Sequence, residues 1–280
     1  MRRLSFLPFL PSLPFLPFVL STGCAISTQQ ELALGADYAA QLQKELPIVR
    51  DAAIQADLDA IGRRLTPYSR RPEVAYRFFL VNSGTVNAFA VPGGYIYVTR
   101  AIVEKAETMD QLAGIIGHEM GHVEHRHSAE QIGRAQAAEL GVGLTGVLVG
   151  GQTGRVAAQG AGLGAQLVLL RYGRDQERES DRFAVSVTTR AGINPNGIVA
   201  FFAVLRQVER QRPSDIEYFF SSHPLTEDRI RDVAQLIQSS PAATAATGSG
   251  LRDTPEFARL KAAVQRLPPP PAPPRQGGNR

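Results

Sequence analysis

The chain has one cysteine, no tryptophan and only five histidines in 280 residues. A single cysteine excludes an intrachain disulfide framework and any cluster of thiolate metal ligands. Blocks of Lys/Arg are missing too: 30 basic against 26 acidic residues leave a formal charge of +4, but the excess is scattered. Nucleic acid is therefore not an expected partner, because its backbone is bound by a concentrated basic face. No internal stretch reaches the roughly 18 to 20 apolar residues of a membrane span. Self-similarity at the periods of helical-repeat domains, about 20 to 50 residues, is not visible either. The remaining balance, 44% hydrophobic and 20% charged, is that of a chain able to bury a core.

The start reads MRRLSFLPFLPSLPFLPFVLSTGC. Arg2 and Arg3 precede an apolar run, and small residues precede Cys24, which is the pattern of a secretion signal with a lipoprotein-type processing site. Prolines at 8, 11, 14 and 17 make that run a poor permanent membrane helix. Ser21 stands where a large aliphatic residue is usual, with Leu20 one place earlier. The expected organisation is a signal over 1–23, lipidation at Cys24, a linker over 24–29, one folded domain over 30–238 and a Pro-rich tail without a core over 239–280, in which 253–265 could add one short helix. By resemblance to enterobacterial sorting, Ala25 after the cysteine points to the outer membrane, so the expected location is the periplasm, lipid-anchored.

Within the domain, residues 28–65 read helical, with Ser27-Thr28 as a cap and apolar positions at helical spacing. AYRFFLVN, VNAFAV and YIYVT alternate as strands, with a turn at Pro92-Gly93-Gly94. Helices are expected near 101–107, from a capping box at Thr108-x-x-Gln111, over 175–190 ending at Gly192, over 195–210, and after His223-Pro224. The Gly-rich stretch 141–164 reads as a lid-like segment.

Four of the five histidines fall within ten residues: His118, His122, His125 and His127. His118-Glu119-x-x-His122 places two imidazoles on one helix face, where both can reach one zinc ion. Glu119 is rotated about 100° from that face, so it suits a proton acceptor beside a zinc-activated water rather than a third ligand. Leu112, Ile115, Ile116 and Val123 mark the helix as core-packed, and buried histidines there need partners. Ser128, where one zinc-protease continuation needs histidine, excludes that class, and His125 and His127 read as surface residues or as support behind the ligands. A catalytic zinc wants a third protein ligand. GRDQERESDRFAV offers carboxylates at i, i+4 spacing, one to bind zinc and one to orient an imidazole. The same spacing also describes a solvated charged face, and it does not choose between Glu177 and Glu179.

VNAFAVPGGYIYVTRAIV, HEMGHVEHRH, YGRDQERESDRFAV and FFSSHPLTEDRI, in that order over about residues 30–235, resemble the HtpX and CAAX prenyl protease type of zinc metallopeptidase, above all its soluble periplasmic branch associated with outer-membrane assembly. The resemblance implies one Zn2+ per chain, held by His118, His122 and Glu177, with Asp181 supporting a ligand and Glu119 as general base. It also implies that His223 can latch the open metal position, that Arg229 faces the site, and that Asn87, Ala88, Phe89 and Ala90 form an edge strand for extended substrate. The implied fold is α+β and mostly helical, a gluzincin-like domain with a small antiparallel sheet beside the H-E-x-x-H helix. The implied activity is endopeptidase cleavage of unfolded or misassembled envelope proteins, with the outer-membrane assembly machinery as a possible partner. The rival expectation is a chaperone-like assembly factor with a latched zinc site.

Overall fold

The computed structural model describes residues 26–134 and 171–271; Cys24, the signal segment and the Gly-rich stretch 141–164 lie outside them. The fold is α+β and mostly helical. Helix α1 (Thr28–Glu45) starts from a capping box in which Ser27 and Gln30 satisfy each other's backbone amides. It ends before Pro47, and α2 (Ala52–Arg63) restarts from Asp51, whose carboxylate caps two amides. The expected 28–65 helix is thus two helices, because proline removes a helical amide and crowds the preceding turn. Since α1 begins at Thr28, the expected linker over 24–29 is already helical at its last two positions.

Strands β1 (Arg77–Val81), β2 (Ala88–Val91) and β3 (Tyr95–Thr99) form one sheet in the order β1-β3-β2. The hairpin β2–β3 is antiparallel, but β1 runs parallel to β3, with Arg77 opposite Tyr95. The sheet is therefore mixed rather than wholly antiparallel. The cause lies in the connection after β1, which carries the chain past the end of β3 before β2 starts. One sheet face packs through Ala88, Ala90, Ile96 and Val98 into the main core; the other, through Phe89 and Tyr97, packs with Leu42 of α1.

After α3 (Arg100–Lys105) comes α4 (Met109–Glu124), in which every residue is buried. The Thr108 hydroxyl does not cap it; Gln111 instead accepts from the Glu107 amide at 2.9 Å. Beside α4 lies α5 (Arg174–Arg190). Gly192 follows at φ +67°, and amides 192 and 193 close on the carbonyls of Thr189 and Thr188, a left-handed helix stop that glycine permits without strain. The two helices touch backbone to backbone: a Cβ on Gly121 would stand 2.6 Å from Ser180 Cα.

Helix α6 (Gly197–Gln211), the unanticipated α7 (Pro213–Ser222) and α8 (Glu227–Ser239) complete the layer around α4 and α5. Beyond the expected domain end at 238, α9 (Pro241–Ser249) and α10 (Pro255–Gln265) continue the fold. Phe257, Leu260 and Val264 are buried in the main core, and Arg259 bonds Asp57 of α2 at 2.6 Å. The expectation of a coreless tail from 239 is corrected here. Its Ala- and Thr-rich start hid the apolar face of α10. Among the described residues, no helix is long and apolar enough to cross a membrane.

Candidate metal centre

Helix α4 presents His118 and His122 one turn apart, and their Nε2 atoms lie 3.1 Å from each other. Helix α5 brings Glu177 opposite them, with Oε2 3.7 Å from His118 Nε2 and Oε1 3.4 Å from His122 Nε2. The close contact at Gly121 is what allows carboxylate and imidazoles to converge. His223, at the end of α7, places Nδ1 3.1 Å from Glu177 Oε1. One ligand atom from each of these four residues lies within 4.8 Å of all the others. Glu179, the alternative that spacing left open, is not in this group. Its carboxylate instead meets His127 Nε2 at 3.0 Å, while His127 Nδ1 sits 3.0 Å from His122 Nδ1. Of the two undecided histidines, His127 is buried and His125 is half-buried at the helix end.

Asp181 lies one turn beyond Glu177. Its Oδ1 meets His118 Nδ1 at 2.9 Å, and Arg229 from α8 donates to both its oxygens at 2.8 Å. Arg229 also donates to Glu177 and to the Pro224 carbonyl. An ionised carboxylate only accepts, so Asp181 fixes the proton of His118 on Nδ1 and leaves Nε2 as a lone pair. The sequence-predicted Asp181, His223 and Arg229 therefore all converge on the cluster.

Asn87 precedes β2, and Ala88, Phe89 and Ala90 lie within it. Beta2 is a sheet edge in the strand order, yet all four residues are buried. A link to the cluster runs through side chains that the sequence did not flag. Ser128 Oγ donates to the Ala90 carbonyl at 3.3 Å and meets the Tyr172 hydroxyl at 2.8 Å. The Tyr172 ring stacks on His122 with centroids 3.8 Å apart. Tyr172 opens the motif YGRDQERESDRFAV, but its contacts with Ser128 and His122 join distant segments and could not be read from the sequence.

Electrostatics decide what the cluster can hold. His118 is 2% exposed, Glu177 and His223 1%, Glu119 and His122 0%. Burial drives the Glu119 carboxyl above its ordinary pKa, against the pull of His223 and His118. It also drives the His122 imidazole well below its own, so that ring is neutral. Burial opposes ionisation of Glu177 as well, but the fields of His223 and Arg229 prevail and hold it well below the carboxylate range. Asp181 is likewise held low by Arg229 and His118 despite its burial. For His223, burial is outweighed by Glu177 and Glu119, which raise it.

Three buried carboxylates thus face one guanidinium and one imidazole, His223, whose own pKa they raise, an acidic excess that a low-dielectric interior disfavours whenever Glu119 is ionised. A divalent cation cancels it. Among the described residues, both Glu119 oxygens and His223 Nε2 are also buried without hydrogen-bond partners, which in a packed core calls for a ligand. Two imidazole nitrogens and a carboxylate oxygen, with a further position open or taken by His223, fit a metal such as zinc.

The sequence profile of peptidase family M48 matches residues 52–237. The chain is 30% identical over 220 residues to the β-barrel assembly-enhancing protease of Escherichia coli K12, covering 76% of this chain and 45% of that protein. It is 30% identical over 168 residues to the metalloprotease LoiP of the same organism, covering 57% and 61%. Against the mitochondrial metalloendopeptidase OMA1 of Schizosaccharomyces pombe it is 27% identical over 181 residues, covering 62% and 50%. The chain spans about half the length of the curated relatives it matches.

Proposed function

Because the chain belongs to peptidase family M48, we propose that it is a zinc-dependent endopeptidase of the gluzincin kind. Its proposed substrates are unfolded or misassembled proteins of the cell envelope. The observation that carries this reading is the buried cluster of His118, His122 and Glu177, with Glu119 buried beside it, 3.7 Å from His223 Nε2 and without a hydrogen-bond partner among the described residues. A purely structural metal site has no use for such a carboxylate.

His118, His122 and Glu177 would hold the zinc, which supplies Lewis acidity to the scissile carbonyl and to the attacking water. Glu119 would take the proton from that water and return it to the leaving nitrogen. Asp181 and Arg229 keep His118 in the ligating tautomer. The edge strand β2 would bind extended substrate backbone with little sequence preference. The E. coli relative named for β-barrel assembly supports a client pool in the outer membrane and a possible link to its assembly machinery. The N-terminal pattern supports a periplasmic, Cys24-anchored location at the outer membrane of a Gram-negative cell.

A second reading, a chaperone-like assembly factor with a latched site, is favoured by one observation. His223 lies among the ligand atoms, with Nε2 3.7 Å from Glu119 Oε1, and the whole set is buried. Casein cleavage by the zinc-loaded protein, with Glu119→Gln and His223→Ala beside it, separates the two. Cleavage by the wild type but not by Glu119→Gln supports the peptidase. Activity only in His223→Ala supports a latched protease. Silence in all three, with zinc bound, favours the assembly factor.

A further inference from the structure

The turn that ends α4 is built for a purpose beyond stopping a helix. Arg126 takes φ +59°, a left-handed conformation that costs a non-glycine residue on the order of 1 kcal/mol and persists only where surrounding contacts impose it. Here they do. Arg126 Nε donates to Glu31 at 2.7 Å, and its guanidinium also reaches the Ile26 carbonyl. Arg71 grips the same Glu31 at 2.8 and 2.9 Å and donates to the Val123 carbonyl at 2.8 Å. Glu124 accepts from Ser69 Oγ at 2.8 Å and from the Arg70 amide at 3.1 Å. This framework turns the chain back so that the ring of His127 lies against His122.

The hydrogen-bond arithmetic there has one solution for neutral rings. Glu179 only accepts, so His127 Nε2 carries the proton in their 3.0 Å contact. His127 Nδ1 is then a lone pair, and the 3.0 Å contact with His122 Nδ1 requires the proton on His122. His122 Nε2 is left as the lone pair that faces His118 and Glu177. We propose that His127 is a positioning residue of the metal site: with Glu179 fixing its own proton, it sets the tautomer and ring plane of His122. The inference rests on the reading of His118, His122 and Glu177 as metal ligands. It makes the two imidazoles unlike, since His118 is backed by a charged carboxylate and His122 by a neutral ring.

The test uses the whole protein, with zinc affinity measured by competition with a chelator and the His122 tautomer read by long-range proton–nitrogen NMR on the zinc-loaded form. His127→Leu should lower zinc affinity about 10- to 100-fold, the usual cost of losing a ligand's supporting hydrogen bond. His127→Gln should recover most of that loss, because its carbonyl accepts from His122 while its amide donates to Glu179. Wild-type affinity in His127→Leu with the His122 proton still on Nδ1, or a His127→Gln as weak as His127→Leu, overturns the proposal. Should His127→Leu not fold, Glu179→Ala decides at a half-buried side chain: severalfold weaker zinc binding supports the relay, and unchanged binding overturns it. A wild type that takes up no zinc overturns the ligand reading itself, and this inference with it.

Discussion

Arg229 and Asp181 meet through two nitrogens and two oxygens, each contact at 2.8 Å, and both side chains are buried. Asp181 reaches His118 from the same carboxylate, so one ion pair both neutralises a core charge and orients a candidate metal ligand. Removing the guanidinium with Arg229→Ala should cost about 3 to 5 kcal/mol in urea denaturation, the range for leaving a buried charge unpaired. Asp181→Asn keeps the shape but loses the obligate acceptor. It should weaken zinc binding roughly 10- to 100-fold in a chelator competition, with a smaller loss of stability.

Without a bound cation, the buried carboxylates of Glu119, Glu177 and Asp181 rely on Arg229 and His223 alone for compensation. The metal-free protein should melt at a lower temperature, and zinc should raise its Tm with concentration. A stabilisation of about 2.7 kcal/mol is expected at a hundredfold excess over Kd. A Tm indifferent to zinc would argue against a buried ion.

Glu119 gives a pH signature in the metal-free state. Its folded pKa is raised by burial above the ordinary value of 4.5, so its contribution favours folding below that value and is lost as pH rises through the raised one. Glu119→Gln has no such loss. The variant should therefore match the wild type near pH 4 and become the more stable of the two as the pH approaches neutrality, as followed by thermal melts across that window.

The close approach of α4 to α5 can be tested from both sides. Gly121→Ala drives a methyl into the Ser180 backbone and should cost about 1 to 3 kcal/mol or more, with weakened metal binding because Glu177 moves with its helix. Ser180→Ala removes a buried hydroxyl that has no hydrogen-bond partner. It should be neutral or stabilising by about 1 kcal/mol. Destabilisation by the alanine at 180 would count against this packing argument.

The C-terminal helices should behave as part of the domain. Phe257→Ala, at a fully packed ring on α10, should cost about 3 to 5 kcal/mol. Truncation after residue 238 should give a protein with lost cooperativity in thermal unfolding. An unchanged melt would mean that α10 is only an appendage.

The chemistry was legible wherever identity and spacing encode it. H-E-x-x-H fixes a helix face, and Glu177 and Asp181 repeat the same arithmetic on a second helix. Choosing Glu177 over Glu179 needed the resemblance, because both carboxylates share the helix and only the packing at Gly121 sets which one faces the histidines. His127 stayed undecided because the left-handed turn at Arg126 reverses the direction that helical spacing implies. The parallel pairing of β1 with β3 was hidden because three short strands in sequence read as a meander. Alpha7 starts at a proline and is short, so its periodicity is too brief to register. The packing of α9 and α10 was masked by a composition that resembles low complexity.

Ser128 and Tyr172 bind the carbonyl of Ala90 and the ring of His122 into one unit, and the strand edge is buried with them. On the proposed peptidase reading, a client chain would compete for groups the protein already uses, and would enter from the fraction of molecules in which those contacts have opened. Its apparent Kd equals the intrinsic value divided by that fraction. The divisor is the same for every client, so a factor that favours opening would raise cleavage of all of them in equal proportion. Discrimination among clients would then rest on which ones present an extended segment while the site is open.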